Sequence, residues 1–175
     1  MDYLIVSDTH GDRDILEKIV QAYQGKIRAM FYNGDSELAA DDELFHTLLP
    51  VIGNMDFDSM FPDDRNYVDS DIKIYQTHGH LYHTERDLNQ IRTKATQLDA
   101  DVITLGHTHQ LGAEMIDGKL FINPGSISLP KGQFAYLHGT YAILSVEPNE
   151  FKVQFYTREL QPVPSLNFSF SRIRR

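Results

Sequence analysis

The sequence predicts a mixed α/β fold, and three observations carry that prediction. Short β-branched runs alternate with amphipathic helical patterns from Tyr3 to Leu105; hairpin patterns replace them beyond Leu111; and polar residues stand directly after the predicted strands. Tyr3 to Ser7 is short, apolar and branched, as a buried strand should be. A helix is predicted from about Asp12, with Ile15, Leu16, Ile19, Val20 and Tyr23 on one face and Gly25 as its stop. Ala29 to Asn33 reads as a second strand. Asp41 and Asp42 then open a short helix that turns Leu44, Phe45, Leu48 and Leu49 inward and closes at Pro50. Val51 and Ile52 make a brief third strand, and Ile72 to Thr77 a fourth. Thr84, with Asp87 three residues on, predicts a capped helix carrying Leu88, Ile91, Ala95 and Leu98. Val102 to Leu105 is the next strand. Met115 to Phe121 contains the Asp117-Gly118 pair of a tight hairpin, and Thr140 to Val146 with Phe151 to Tyr156 forms another. The tail from Gln161 to Arg175 fits either a final edge segment or a frayed end.

With 175 residues and no internal repeat, the chain is expected to be one domain spanning 1–175. A chain of this size buries roughly 70% of its unfolded surface. It has no cysteine, so disulfides and thiolate metal sites are excluded. The net charge of -9 argues against broad capture of nucleic acid or an anionic membrane surface. It does not exclude a small phosphate ester held at a locally positive site. No apolar run approaches the ~18 residues of a membrane span, and the N-terminus lacks the basic start of a signal peptide. The expectation is a cytoplasmic protein, and the sequence is compatible with a homo-oligomer.

The chemistry stands at the strand ends. The first strand is followed by Asp8 and His10, the second by Asp35, the third by Asn54, the fourth by His78, and the fifth by His107 and His109. In open α/β sheets ligands bind beyond the carboxyl ends of strands, so these residues are expected to share one rim. The D-x-H and H-x-H pairs place two side chains on the same side of extended chain, with Thr9 and Thr108 pointing away. Glycines 34, 53, 79 and 106 permit tight turns and close backbone approach. Imidazoles, two carboxylates and an amide suit Mn, Fe, Zn, Co or Ni rather than Ca or Mg. Seven donors exceed the needs of one ion; two ions about 3.5–4 Å apart would use them all, with Asp35 as the natural bridge. Asp12 and Asp56 read more simply as turn or cap residues, and His46, His83 and His138 as surface histidines.

The ordered series D-x-H, G-D, G-N, H-G-H and G-H-x-H resembles the calcineurin-like metallophosphoesterase superfamily. The small size and the segment INPGSISLPKG, Ile122 to Gly132, are similar to its compact bacterial and archaeal phosphodiesterase branch. The resemblance runs from about Tyr3 to Tyr156. It implies a four-layer αββα sandwich of two mixed β-sheets, and a dinuclear site commonly loaded with manganese. By that likeness one ion takes Asp8, His10, Asp35 and His109, and the other takes Asp35, Asn54, His78 and His107. It implies hydrolysis of small phosphodiesters by a hydroxide from a shared, metal-activated water. Many superfamily members carry histidine directly after the ligand asparagine, where it aids departure of the leaving group. Here Met55 stands there and has no proton to give. Asp35 and Asn54 are the other catalytic candidates, and His80 or Asp56 is the candidate substitute donor; His80 fits a role beside the metal or on the phosphate equally well. Rival expectations are a phosphomonoesterase or nuclease, with Lys131 a candidate cation, and a protein-binding scaffold like the retromer subunit of this fold, whose metal pocket is degenerate. The complete donor set here favours an enzyme.

Overall fold

A computed structural model describes residues 1–172. The first part of the chain runs β1 (Asp2–Val6), α1 (Arg13–Tyr23), β2 (Ala29–Tyr32), a 3₁₀ turn (Glu43–His46), β3 (Leu48–Pro50), β4 (Asp64–Val68) and β5 (Lys73–Thr77). A second 3₁₀ turn (His80–Tyr82), α2 (Asn89–Gln97), β6 (Val102–Thr104), β7 (Gly112–Ile116) and β8 (Lys119–Asn123) follow. A third 3₁₀ turn (Gly132–Leu137) leads to β9 (Thr140–Val146), β10 (Glu150–Thr157) and β11 (Pro162–Ser171).

Two mixed sheets form. One has the order β11-β10-β9-β1-β2-β3, the other β4-β5-β6-β8-β7. Period-two alternation decides what each strand covers. Tyr3 and Ile5 of β1 pack between the sheets with Phe31, Ile74, Val102, Leu120 and Ile122. Leu4 and Val6 face the other way, onto Ile15, Leu16, Ile19 and Val20 of α1. On the far side, Ile91 and Ala95 of α2 pack on Tyr75, Ile103 and Phe121. Helix, sheet, sheet, helix is the four-layer arrangement that the sequence led us to expect. Each large aliphatic buried in this way contributes about 1.5–3 kcal/mol.

Several local expectations need correction. The helix expected after Asp41 is one 3₁₀ turn, started by the Asp42 carboxylate accepting the Leu44 N–H at 2.9 Å. Leu48 and Leu49 belong instead to β3, paired in parallel with Met30 and Phe31. The third strand is thus shifted toward the N-terminus, and Val51 adds only one further bond, to the Tyr32 carbonyl. Thr84 does not cap a helix. Its hydroxyl donates to the Gly79 carbonyl, and α2 begins later, with Asp87 accepting the Asn89 N–H at 2.8 Å. Strand β4 was not foreseen. The tail forms edge strand β11, with Val163 and Leu166 buried; residues 173–175 lie outside the described residues. Among the described residues no helix is long and apolar enough to cross a membrane.

Candidate metal centre

Strands β1, β2 and β3 run parallel to one another, as do β5 and β6, and the loops that follow them carry the candidate ligands. One donor atom from each of Asp8, His10, Asp35 and His109 lies within 4.8 Å of all the others. The His78 Nε2 joins them, 3.2 Å from Asp8 Oδ1 and 3.4 Å from Asp35 Oδ2. Asn54 and His107 line the same cavity of about 480 Å³, together with His10, Asp35 and His109. His107 stands ring to ring with His78 at 5.1 Å, but its Nε2 is turned to Glu85 Oε2 at 3.3 Å.

The backbone does not reach this geometry as extended chain, contrary to expectation for the D-x-H and H-x-H pairs. Asp8, His10, Asp35, His107 and His109 all have positive φ, between 49° and 69°. Non-glycine residues are uncommon there, and a strained residue costs roughly 1–3 kcal/mol. Thr9 does point away, since its N–H and hydroxyl meet the Tyr32 hydroxyl at 3.0 and 2.7 Å. Two glycines are required by close approach. A side chain at Gly53 would collide with the Asp35 carboxylate, and one at Gly106 with Ser7 Oγ and Asp8 Oδ2.

The proton inventory tests whether a cation fits. His10 Nδ1 lies 2.8 Å from Glu37 Oε1, and His109 Nδ1 lies 2.7 Å from the Leu129 carbonyl. Both partners are acceptors, so each Nδ1 carries a hydrogen and each Nε2 is the ring atom turned to the centre, able to give a lone pair to a cation. Those two Nε2 atoms face each other at 3.1 Å, with Asp8 Oδ1 3.9 Å from one and 3.3 Å from the other. Three potential ligand atoms thus converge on one point, where a proton holds them together or a metal cation could replace it. Nitrogen and carboxylate oxygen donors in this number fit a transition-series divalent cation.

Electrostatics agree. Burial raises the cost of the Asp8 anion, but hydrogen bonds from His109 and His78 outweigh it and hold the carboxyl far below its usual range. Asp35 is likewise lowered, burial being overcome by His78. Burial opposes the charged form of His78, yet its bonds to Asp35 and Asp8 push its pKa up to about 9. His109 is raised chiefly by its bond to Asp8. His107 and His80 are lowered by burial and then by the nearby His78.

The sequence reading missed Glu37 and left the roles of Asp56 and His80 open. The Asp56 carboxylate accepts N–H groups from Asp35, Glu37 and Gly53 and the Ser36 hydroxyl. It therefore braces the Asp35 loop, a stronger role than a turn former, with both of its oxygens engaged by donors. Glu37 fixes the His10 ring. His80 Nδ1 lies 3.0 Å from His78 Nδ1 and so orients that ring. The INPGSIS segment borders the rim: Ser126 Oγ donates to the Asp8 carbonyl at 2.7 Å. The signal that could have exposed Glu37 and Asp56 is their spacing, each two residues after a candidate ligand. Asp12 caps α1, accepting the Ile15 N–H at 3.4 Å, and pairs with Arg158; His46, His83 and His138 are exposed.

Residues 1–149 match the family model of the calcineurin-like phosphoesterase superfamily domain. The probable metallophosphoesterase YsnB of Bacillus subtilis (strain 168) is 38% identical over 156 residues, covering 89% of this chain and 90% of that protein. A crystal structure of a predicted phosphoesterase from Streptococcus pneumoniae TIGR4 superposes with a TM-score of 0.94 at 37% identity, over 98% of this chain and 97% of that one. Vacuolar protein sorting 29 from Cryptosporidium parvum reaches a TM-score of 0.75 over 98% of each chain at 19% identity, a likeness of fold alone.

Proposed function

The chain belongs to the calcineurin-like phosphoesterase superfamily, and from that premise we propose that it is a metal-dependent phosphodiesterase with a dinuclear centre. The family and the Asp/His cluster support a phosphoric ester hydrolase that uses divalent cations. The diester substrate, the second ion and manganese as the ion are our reading. Asp8, His10 and His109 would hold one ion, and Asn54, His78 and His107 the other after a turn of the His107 ring away from Glu85. Asp35 would give an oxygen to each. When bound, two divalent cations would lower the pKa of a shared water and offset charge on the phosphoryl oxygens. The chain's own residues set the geometry: Glu37 and the Leu129 carbonyl fix the two imidazoles, and the Met55 N–H holds Asp35 Oδ1 at 2.7 Å.

The catalytic role assigned to His80 becomes one of positioning, because its Nδ1 is committed to His78 and burial lowers its pKa. With no proton donor at Met55, the leaving oxygen departs with little help. General acid catalysis typically contributes ~10²–10⁴-fold, so aryl esters should be preferred to alkyl ones. The convergence of lone pairs from Asp8, His10 and His109 carries this reading over the scaffold alternative, which has likeness of fold behind it but needs no such cluster. We take residues 1–175 as one domain and a cytoplasmic location as part of the same proposal. The test is hydrolysis of bis(p-nitrophenyl) phosphate by the manganese-loaded protein beside Asp35→Asn. We expect a loss of at least about 100-fold in the variant; full activity there would remove Asp35 from the centre.

A further inference from the structure

We propose that the cavity beside the cluster takes a phosphodiester with two apolar, preferably aromatic, arms, one against Met55 and the other against Leu129. The inference rests on the phosphodiesterase reading and narrows it to a substrate class. Met55 and Leu129 are 54% and 52% exposed, and both line the cavity of about 480 Å³ that holds the candidate ligands. Each is fastened to the cluster through its backbone. The Met55 N–H donates to Asp35 Oδ1 at 2.7 Å, and the Leu129 carbonyl accepts His109 Nδ1 at 2.7 Å. Their backbones are therefore anchored on the rim, one on the Asp35 side and one on the His109 side, and both side chains line the cavity. Apolar groups at such positions recognise apolar matter, and a thioether contacts aromatic rings favourably.

Size and charge point the same way. Pockets for small organic ligands span about 300–1,000 Å³, and this one is far larger than a phosphate needs. Two apolar flanks suit a phosphorus carrying two organic arms, which a monoester lacks. Lys131 is the lysine among the lining residues, and Glu37, which also lines the cavity, is held by His10. Beyond the ions that the cluster would hold, Lys131 is the one cationic side chain among the lining residues, so the wall offers little extra charge for a monoester's second negative charge.

The experiment is a methyl-NMR titration of the zinc-loaded protein with diphenyl phosphate, a slowly hydrolysed diester, and with dimethyl phosphate. We expect ring-current shifts at the Met55 and Leu129 methyls and binding about tenfold tighter for the diphenyl ester. In parallel, Met55→Ser and Leu129→Ser should each lower the ratio of kcat/KM for bis(p-nitrophenyl) phosphate over methyl p-nitrophenyl phosphate by about fivefold, mainly through KM. Equal affinity for the two diesters, methyls that do not shift, or an unchanged ratio in both variants would overturn the proposal. Methyl shifts and selective binding without any turnover would support it while refuting the hydrolase reading, so the two fail separately.

Discussion

Asp56 grips the loop that carries Asp35. One of its carboxylate oxygens accepts the Asp35 N–H at 2.8 Å and the Gly53 N–H at 2.7 Å, and the other accepts the Glu37 N–H at 2.8 Å. Two acids thus stand together with backbone donors between them, while Asp35 and Glu37 are wound at φ 56° and 55°. Asp56→Ala leaves those donors without their acceptor. We expect a stability loss of about 2–4 kcal/mol and manganese affinity weakened by at least about tenfold. Chemical denaturation and isothermal titration measure the two; an affinity equal to wild type would show that the loop holds its shape unaided.

Glu37 sets which nitrogen of His10 is free. Replacing it with alanine removes the acceptor at Nδ1, so the ring can rotate or carry its hydrogen on Nε2. Glu37→Ala should cost about 10–100-fold in metal affinity, whereas Glu37→Gln, which keeps an amide oxygen, should cost less. Competition against a chelating dye gives both values. Identical affinities for the two variants would argue that the carboxylate, if it matters at all, acts as charge and not as an acceptor.

His78 makes the metal-free protein sensitive to alkali. Its folded pKa of about 9 lies above the ordinary 6.5 because Asp35 and Asp8 overcome the effect of burial. Its charge therefore stabilises the fold fully below pH 6.5, and that contribution disappears as pH rises through about 9. Asp8 and Asp35 behave oppositely, stabilising above their ordinary pKa of 3.8 and losing that effect as pH falls through their lowered values. Chelator-stripped protein should melt at progressively lower temperature between pH 6.5 and pH 9, and His78→Gln should flatten the slope. Metal affinity should rise over the same interval, because the ion displaces the proton. A level melting profile for the stripped wild type would refute the coupling.

Met55 offers a gain-of-function test. A histidine there would place an imidazole at the cavity wall, 20 residues beyond Asp35 in sequence yet tied to it through the backbone. If departure of the leaving oxygen limits the rate, Met55→His should speed an alkyl diester by about 10–100-fold, and an aryl diester much less. Steady-state rates on methyl and p-nitrophenyl diesters decide it. Equal changes on both would mean that proton donation is not what residue 55 controls.

How far the sequence could be read depended on how far short-range pattern fixed each feature. Strand β1 and helix α1 were legible because Tyr3 to Val6 is an unbroken apolar run and Ile15, Leu16, Ile19 and Val20 recur at helical spacing. The hairpin at Asp117-Gly118 was legible because both residues have the positive φ that this tight turn demands, 51° and 75°. Strand β4 was not, because Asp64–Val68 lies at a sheet edge and none of its residues is fully buried. Leu48 and Leu49 fit a helical face and a strand equally well, and only pairing with β2 decides between them. At the centre, the order of candidate ligands was legible while their supports were not. Asp56 and Glu37 matter through which N–H or ring nitrogen they reach; their spacing from Asn54 and Asp35 hints at a role, but the reach itself depends on left-handed turns at Asp35 and Glu37.

Those turns have a consequence for how an ion would arrive. Asp8, His10, Asp35, His107 and His109 are wound into unfavourable backbone by folding itself; around the first three, Asp56 accepts the Asp35 N–H, Tyr32 accepts the Thr9 N–H, and Ser126 donates to the Asp8 carbonyl. The pocket is preformed, so loading needs no disorder-to-order transition. Uptake should leave the circular dichroism spectrum unchanged and slow amide exchange chiefly in the loops at 8–10, 35–37 and 107–109, in contrast to domains that fold around their metal.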